Sequence, residues 1–296
     1  AAAPTADDAQ PYNEYYISYD IVTGVFENLD CNKHSIRNSK TNEYAPPYNP
    51  DISHLQNDAM YESNGTKTII DKDGRDIVQD VTISPFKKIV FIKSFFPNGS
   101  VIRGTGVVLG PDLVLTAGHL IYQTQYGVRT SYCRIYAEVD GSNPISSNHD
   151  GQSTRIVTSS YWAVPGSSPA GSDWAYMIVN NDIGYEQGWM GFGYSPSYFN
   201  GYTVSGYPVT DPDGKTTFYM YSDTGDIEFN ADSTMYISDT IDGSGGQSGS
   251  PLYTPTSIVY VVYVGGTSSY TQSTRITQSL FNYLLENREE GIERWS

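Results

Sequence analysis

The chain has 296 residues, enough for one large domain or two small ones, and its 33 acidic against 17 basic residues give a formal charge of −16. That balance argues against nucleic acid as a partner, because phosphate binding needs a clustered basic surface. Tyrosine (26) and glycine (28) are abundant while charged residues make up only 17%, a profile that suits short strands and tight turns better than long helices.

Residues 1–10 (AAAPTADDAQ) lack a basic start and a hydrophobic segment, so no export leader is visible, although a small-residue start suits what remains after one is removed. Up to residue 67 the chain is polar, acidic and rich in Asn, Asp, Pro and Tyr, as in APPYNPD at 45–51. With no sustained period, this stretch is expected to be a loosely structured extension. From Ile69 onward come short apolar runs: IVFI (89–92), GVVL (106–109), LVLTA (113–117), RIYAEV (134–139), WAYMIV (174–179), TFYMY (217–221), TMYIS (234–238) and IVYVVYV (258–264). They read as strands, and the Gly- and Pro-rich segments FFPNGS, VPGSSPAGS, TDPDGK and DGSGG read as the turns between them. An all-β barrel or sandwich follows. Near the end, Ile276, Leu280, Phe281, Leu284 and Leu285 recur at helical spacing, so a helix over about 276–288 should pack on the body. No repeat of solenoid or propeller length is present. No apolar stretch approaches the roughly eighteen residues that cross a bilayer, and no membrane partner is expected. Cys31 and Cys133 are too few for a disulfide framework and leave one bridge open as an option.

Three segments carry chemistry. In GTGVVLGPDLVLTAGHL (104–120) a strand ends in Thr-Ala-Gly-His, which places His119 at the edge of a cleft among small residues. In GSDWAYMIV (171–179) Asp173 immediately precedes an apolar strand that can draw its carboxylate inward; Asp150 and Asp182 are alternatives at less favourable positions. In DGSGGQSGSPLY (242–253) a glycine-rich loop presents Ser248. A serine hydroxyl is a weak nucleophile at neutral pH, so an imidazole must take its proton and a carboxylate must orient that imidazole. The backbone N–H groups of Gly246 and Ser248 can converge on a developing oxyanion. The other histidines, His34, His54 and His149, lie in polar, turn-rich surroundings. No metal-ligand motif and no cofactor motif is found, so neither is expected.

LTAGH, SDWA and GGQSGSP, in the order His, Asp, Ser, resemble the signature segments of chymotrypsin-like serine peptidases, specifically the glutamyl endopeptidase branch. DKDGR (71–75), SGYP (205–208), TID (240–242) and STRIT (273–277) extend the resemblance over about residues 68–285. It implies two antiparallel six-stranded barrels with a C-terminal helix, and a secreted, monomeric endopeptidase acting on protein or peptide substrates. It also implies a propeptide over 1–67, a peptidase domain over 68–296, and a mature start at Thr68 or Ile69 whose amino group lies near the substrate pocket. The chain departs from that branch in the pocket. Where a histidine and a threonine help read a substrate glutamate, Tyr260 or Tyr263 and Gly243 stand instead, with Gly265 and Gly266 following on the same strand. Asp242, six residues before Ser248, occupies the place where trypsin-like enzymes bind Lys or Arg, although Asp-Gly is also an ordinary turn. A preference for Lys or Arg before the scissile bond is therefore expected, with glutamate the alternative; a peptide-binding or adhesion protein with a vestigial triad is the reading from another class. Cysteines that flank the histidine segment in many relatives are replaced near Gly104 and Leu120, so packing must hold that loop.

Overall fold

The computed structural model describes residues 15–31, 44–49, 73–141, 150–164, 170–194, 196, 199–229, 235–267 and 269–296. An N-terminal arm contributes β1 (Tyr15–Asp20), β2 (Phe26–Asp30) and the short β3 (Tyr44–Ala45), and β4 (Asp76–Ile77) follows it. The first half of the body holds β5 (Ile89–Phe95), β6 (Val101–Val108), β7 (Leu113–Thr116), the small hairpin β8 (Tyr122–Gln123) and β9 (Val128–Arg129), β10 (Tyr132–Tyr136), β11 (Asp150–Ser159) and β12 (Ala175–Val179). After helix α1 (Ile183–Gln187) the second half holds β13 (Gly191–Gly193), β14 (Tyr202–Gly206), β15 (Tyr221–Gly225), β16 (Glu228–Phe229), β17 (Met235–Ser238), β18 (Pro251–Tyr253), β19 (Ile258–Gly266) and β20 (Thr271–Arg275). Helix α2 (Gln278–Trp295) ends the chain.

In the first half six strands run β10-β5-β6-β7-β12-β11, and β11 pairs back to β10 to close an antiparallel barrel. Its strands read as continuous apolar runs because both faces are buried: Val90 and Ile92 join one core cluster, while Ile89 and Phe91 join another that continues into the second half and α2. The second half is an antiparallel sheet of six principal strands, β17-β20-β19-β18-β14-β15, extended by β16 and β4. Its two ends do not pair among the described residues, so only the first barrel is closed by hydrogen bonds.

Several expectations need correction. The extension is not uniformly loose: β1 pairs with β11, Tyr16 is fully buried, and β3 pairs with β13. TFYMY is not a strand; β15 begins at Tyr221, the last of its residues. The final helix runs on to Trp295 because Arg294 and the Trp295 indole (2.9 Å) donate to the buried carboxylate of Asp112, an anchor that apolar periodicity cannot reveal. No disulfide joins Cys31 and Cys133, which belong to different core clusters. Gly104 and Leu120 do meet: the Leu120 side chain fills the space beside Gly104, so packing closes that loop as expected. Among the described residues no helix is long and apolar enough to cross a membrane.

Candidate active site

Strand β7 ends at Thr116, whose hydroxyl donates to the Thr105 carbonyl (2.6 Å), and a single helical turn over Gly118–Leu120 then lifts His119 off the barrel. Position 118 is crowded, so a side chain there would force its neighbours to shift. A Cβ there would stand 2.9 Å from Trp162, 3.0 Å from the Trp174 nitrogen and 3.1 Å from Asp173 Oδ1. Asp173, just ahead of β12, uses both carboxylate oxygens on one residue: Oδ1 accepts the His119 backbone N–H (2.8 Å) and Oδ2 meets His119 Nδ1 (2.8 Å). A carboxylate can only accept, so Nδ1 carries the proton and Nε2 keeps its lone pair. The imidazole remains about a third exposed (32%), whereas Asp173 is buried. Burial alone would lower the His119 pKa, but the charge of Asp173 and its hydrogen bond more than offset this, and the net shift is upward from 6.5. Asp150 instead faces Arg134 at 4.0 Å, and Asp182 precedes α1. His34, His54 and His149 lie outside the described residues.

The Ser248 loop is a pair of turns, with Gln247 N–H donating to the Ser244 carbonyl (3.0 Å) and Ser250 N–H to that of Gln247 (2.9 Å). Gly246 and Gly249 have φ of +93° and +89°, a region in which side chains are strained. A side chain at 249 would also collide with Thr105, Thr116 and the Ala117 nitrogen. The loop is thus pressed against the end of β7 and fastened by Thr105 N–H to the Ser248 carbonyl (2.8 Å), which brings Ser248 to the turn that carries His119. No hydrogen bond joins the Ser248 hydroxyl to His119 among the described residues, a contact that commonly tightens only with substrate bound. The N–H groups of Gly246 and Ser248 donate to no group among the described residues.

Beside Ser248 opens a cavity of about 350 Å³ whose lining includes Asp242, Gly243, Tyr263, Gly265 and Gly266. Tyr263, not Tyr260, faces it. The two departures from the glutamyl pattern are one structural change, because a Cβ at Gly243 would lie 2.6 Å from Tyr263 Cζ and 2.8 Å from its hydroxyl. The tyrosine ring occupies the space that a side chain at 243 needs. Burial pushes the phenol up to about 12, with Arg75 opposing and Asp242 reinforcing, so Tyr263 is neutral in the working range. Asp242 is the one acidic residue of the lining; it is buried, and its backbone N–H donates to Asp223 (2.8 Å).

Sequence reasoning missed Arg75. Its guanidinium is held by Asp73 (2.6 and 2.8 Å) and donates to Ser244 Oγ (2.6 Å) and Gln247 Oε1 (3.2 Å), while Gln247 Oε1 also accepts the Ser244 N–H (3.0 Å). A buried cation therefore braces both ends of the turn that contains Gly246 and adjoins Ser248. The signal was present in DKDGR, a rare arginine beside aspartates, but its partners lie 169 and 172 residues away.

The architecture is that of chymotrypsin-like serine peptidases. The family model described as Trypsin matches residues 91–283, and the chain belongs to that family as a serine endopeptidase acting on peptide bonds. It is 32% identical over 232 residues to a glutamyl endopeptidase of Bacillus licheniformis, covering 74% of this chain and 68% of that protein. It is also 29% identical over 224 residues to an extracellular metalloprotease of Bacillus subtilis, covering 73% of this chain and 68% of that one. Among solved structures, a Glu endopeptidase in complex with MPD superposes with a TM-score of 0.62 at 21% identity, covering 75% of this chain and all of that one. The protease Anisep of Arthrobacter nicotinovorans gives 0.59 at 17% identity, with 71% and 98% covered.

Proposed function

We propose that the protein is a secreted serine endopeptidase that works through Ser248, His119 and Asp173 and cleaves after Lys or Arg. In this reading Ser248 Oγ attacks the scissile carbonyl carbon as its proton passes to His119 Nε2, and the oxyanion is met by the N–H groups of Gly246 and Ser248. His119 then returns the proton to the leaving amine. Water, deprotonated by the same nitrogen, attacks the acyl-enzyme and frees Ser248. The observation that carries the reading is the paired contact of His119 with Asp173, which fixes the tautomer that a general base requires. Export agrees with the extracellular character of the Bacillus subtilis relative.

The preference for a basic side chain rests on Asp242. A carboxylate at the cavity wall, joined by the neutral phenol of Tyr263, complements an ammonium or guanidinium and repels a substrate carboxylate. Glutamate is the second reading, favoured by the activity named for the Bacillus licheniformis relative. Digestion of a peptide library with sequencing of the cut sites is expected to place Lys or Arg before the bond. A strong preference for Glu or Asp would overturn the specificity and leave the peptidase assignment standing. The same pocket suits cleavage after Lys67 to give a start at Thr68, a position that lies outside the described residues.

Arg75 is a positioning residue in this scheme. Arg75→Met removes charge-assisted hydrogen bonds to the Ser244 hydroxyl and Gln247, so kcat is expected to fall on the order of tenfold to a hundredfold while KM moves little. Steady-state kinetics on a short peptide amide checks this; a change in KM alone would show that the bracing serves binding and not the oxyanion donors.

A further inference from the structure

The described residues of the N-terminal arm are built into both halves of the body and line none of the substrate cavity. Only the first three residues of β11 pair with β10; further along, the same edge would be open backbone, and β1 fills it in an antiparallel register from Asp20↔Arg155 to Tyr16↔Ser159. Tyr16 enters the shared core. Its ring lies edge-on to Trp174 (4.7 Å between centroids, 79° between planes) and 5.3 Å from Tyr283 of α2. Trp174 is the residue after Asp173, and its nitrogen bounds the space around Gly118, so the arm abuts the segment that holds the His119–Asp173 pair. The arm's second strand ends on α2, where the Tyr283 hydroxyl donates to the Asp30 carbonyl and the Ser279 hydroxyl to that of Cys31, both at 2.8 Å. Further on it reaches the second half. Tyr48 stacks on Trp189 (4.2 Å) and exchanges two backbone hydrogen bonds with it (2.9 Å each), Ala45 pairs with Phe192, and Arg288 donates to the Pro46 carbonyl (2.7 Å).

A segment that fills the core and avoids the cavity has the construction of a structural part and not of a plug. We infer that residues 15–49 are a permanent component of the working enzyme: they stay bound whether or not the chain is cut near Lys67, and Tyr16 positions Asp173 through Trp174. A cut there would yield a two-chain enzyme, not a released prosegment.

The wild-type protein tests this without any variant. Active enzyme is purified natively by size exclusion and then analysed under denaturing conditions by mass spectrometry with N-terminal sequencing. One chain that still contains Tyr15–Asn49, or two chains in equal amounts, supports retention; the first result also sinks the cleavage reading, and the second supports it. A single chain starting near Thr68 with full activity overturns retention and leaves the cleavage reading intact. Tyr16→Ala should lower Tm by roughly 10 °C and lower kcat with little change in KM, and Tyr16→Phe should restore both by replacing the ring. Unchanged Tm and kcat in Tyr16→Ala would overturn the positioning role.

Discussion

Ser248→Ala is expected to abolish turnover, with kcat falling by roughly six orders of magnitude and Tm unchanged, because it removes the hydroxyl that is acylated in the proposed scheme. The substitution deletes one oxygen that makes no internal hydrogen bond among the described residues. The loop itself is held by backbone contacts, Thr105 N–H to the Ser248 carbonyl and Gly249 N–H to that of Tyr263, each 2.8 Å, which an alanine keeps. The N–H donors at 246 and 248 also survive, so a small residual rate over water and near-normal substrate affinity are expected. Kinetics on a peptide amide, a thermal melt and labelling of wild type by an organophosphate give the three readouts. Activity within tenfold of wild type would overturn the nucleophile. Loss of wild-type activity to a chelator, with indifference to serine reagents, would move the chemistry to a metal. A wild type that binds peptides but never turns them over would favour the vestigial reading.

The local geometry of the candidate site was legible because its information is local. LTAGH, SDWA and GGQSGSP each join a strand end to a turn with a fixed chemical residue, and the strands beside them are doubly buried and so read as unbroken apolar runs. The arm was illegible for the opposite reason. In YYISYD only Tyr16 and Ser18 are buried, and the partner strand lies more than a hundred residues on, so the hydrophobic pattern is faint and the pairing is invisible to local reading. TFYMY misled because Met220 is buried in irregular backbone just ahead of β15, where its carbonyl accepts the Val78 N–H (2.9 Å) but no strand forms. Arg75 shows in the sequence only as a charge; its meaning comes from the Ser248 loop brought to it by the fold. The pocket falls between these cases. Asp242, Gly243 and Tyr263 could be named, but that the tyrosine ring takes the space of a side chain at 243 is a three-dimensional fact.

Asp173→Asn should cost roughly four orders of magnitude in kcat with KM within a few-fold, a loss that follows from the geometry around the carboxylate. Oδ1 must face a fixed donor, the backbone N–H of His119, so the asparagine side chain has to put its carbonyl oxygen there. Its NH2 group is then turned toward His119 Nδ1, which must become the acceptor. The ring proton moves to Nε2, and the nitrogen that should take the Ser248 proton is already occupied. The pH profile gives an independent signature. Asp173 raises the His119 pKa by charge and hydrogen bond against the lowering effect of burial, so the acid limb of kcat/KM for wild type should lie above 6.5, where the neutral imidazole becomes the majority form. Without the carboxylate, burial acts unopposed, and the limb should move to lower pH even as the maximum collapses. In the proposed scheme nucleophile and orienting carboxylate act as one unit, so Asp173→Asn added to Ser248→Ala should cost almost nothing further. A single-variant loss below tenfold, or an acid limb that does not move, would assign the orienting role to a different residue.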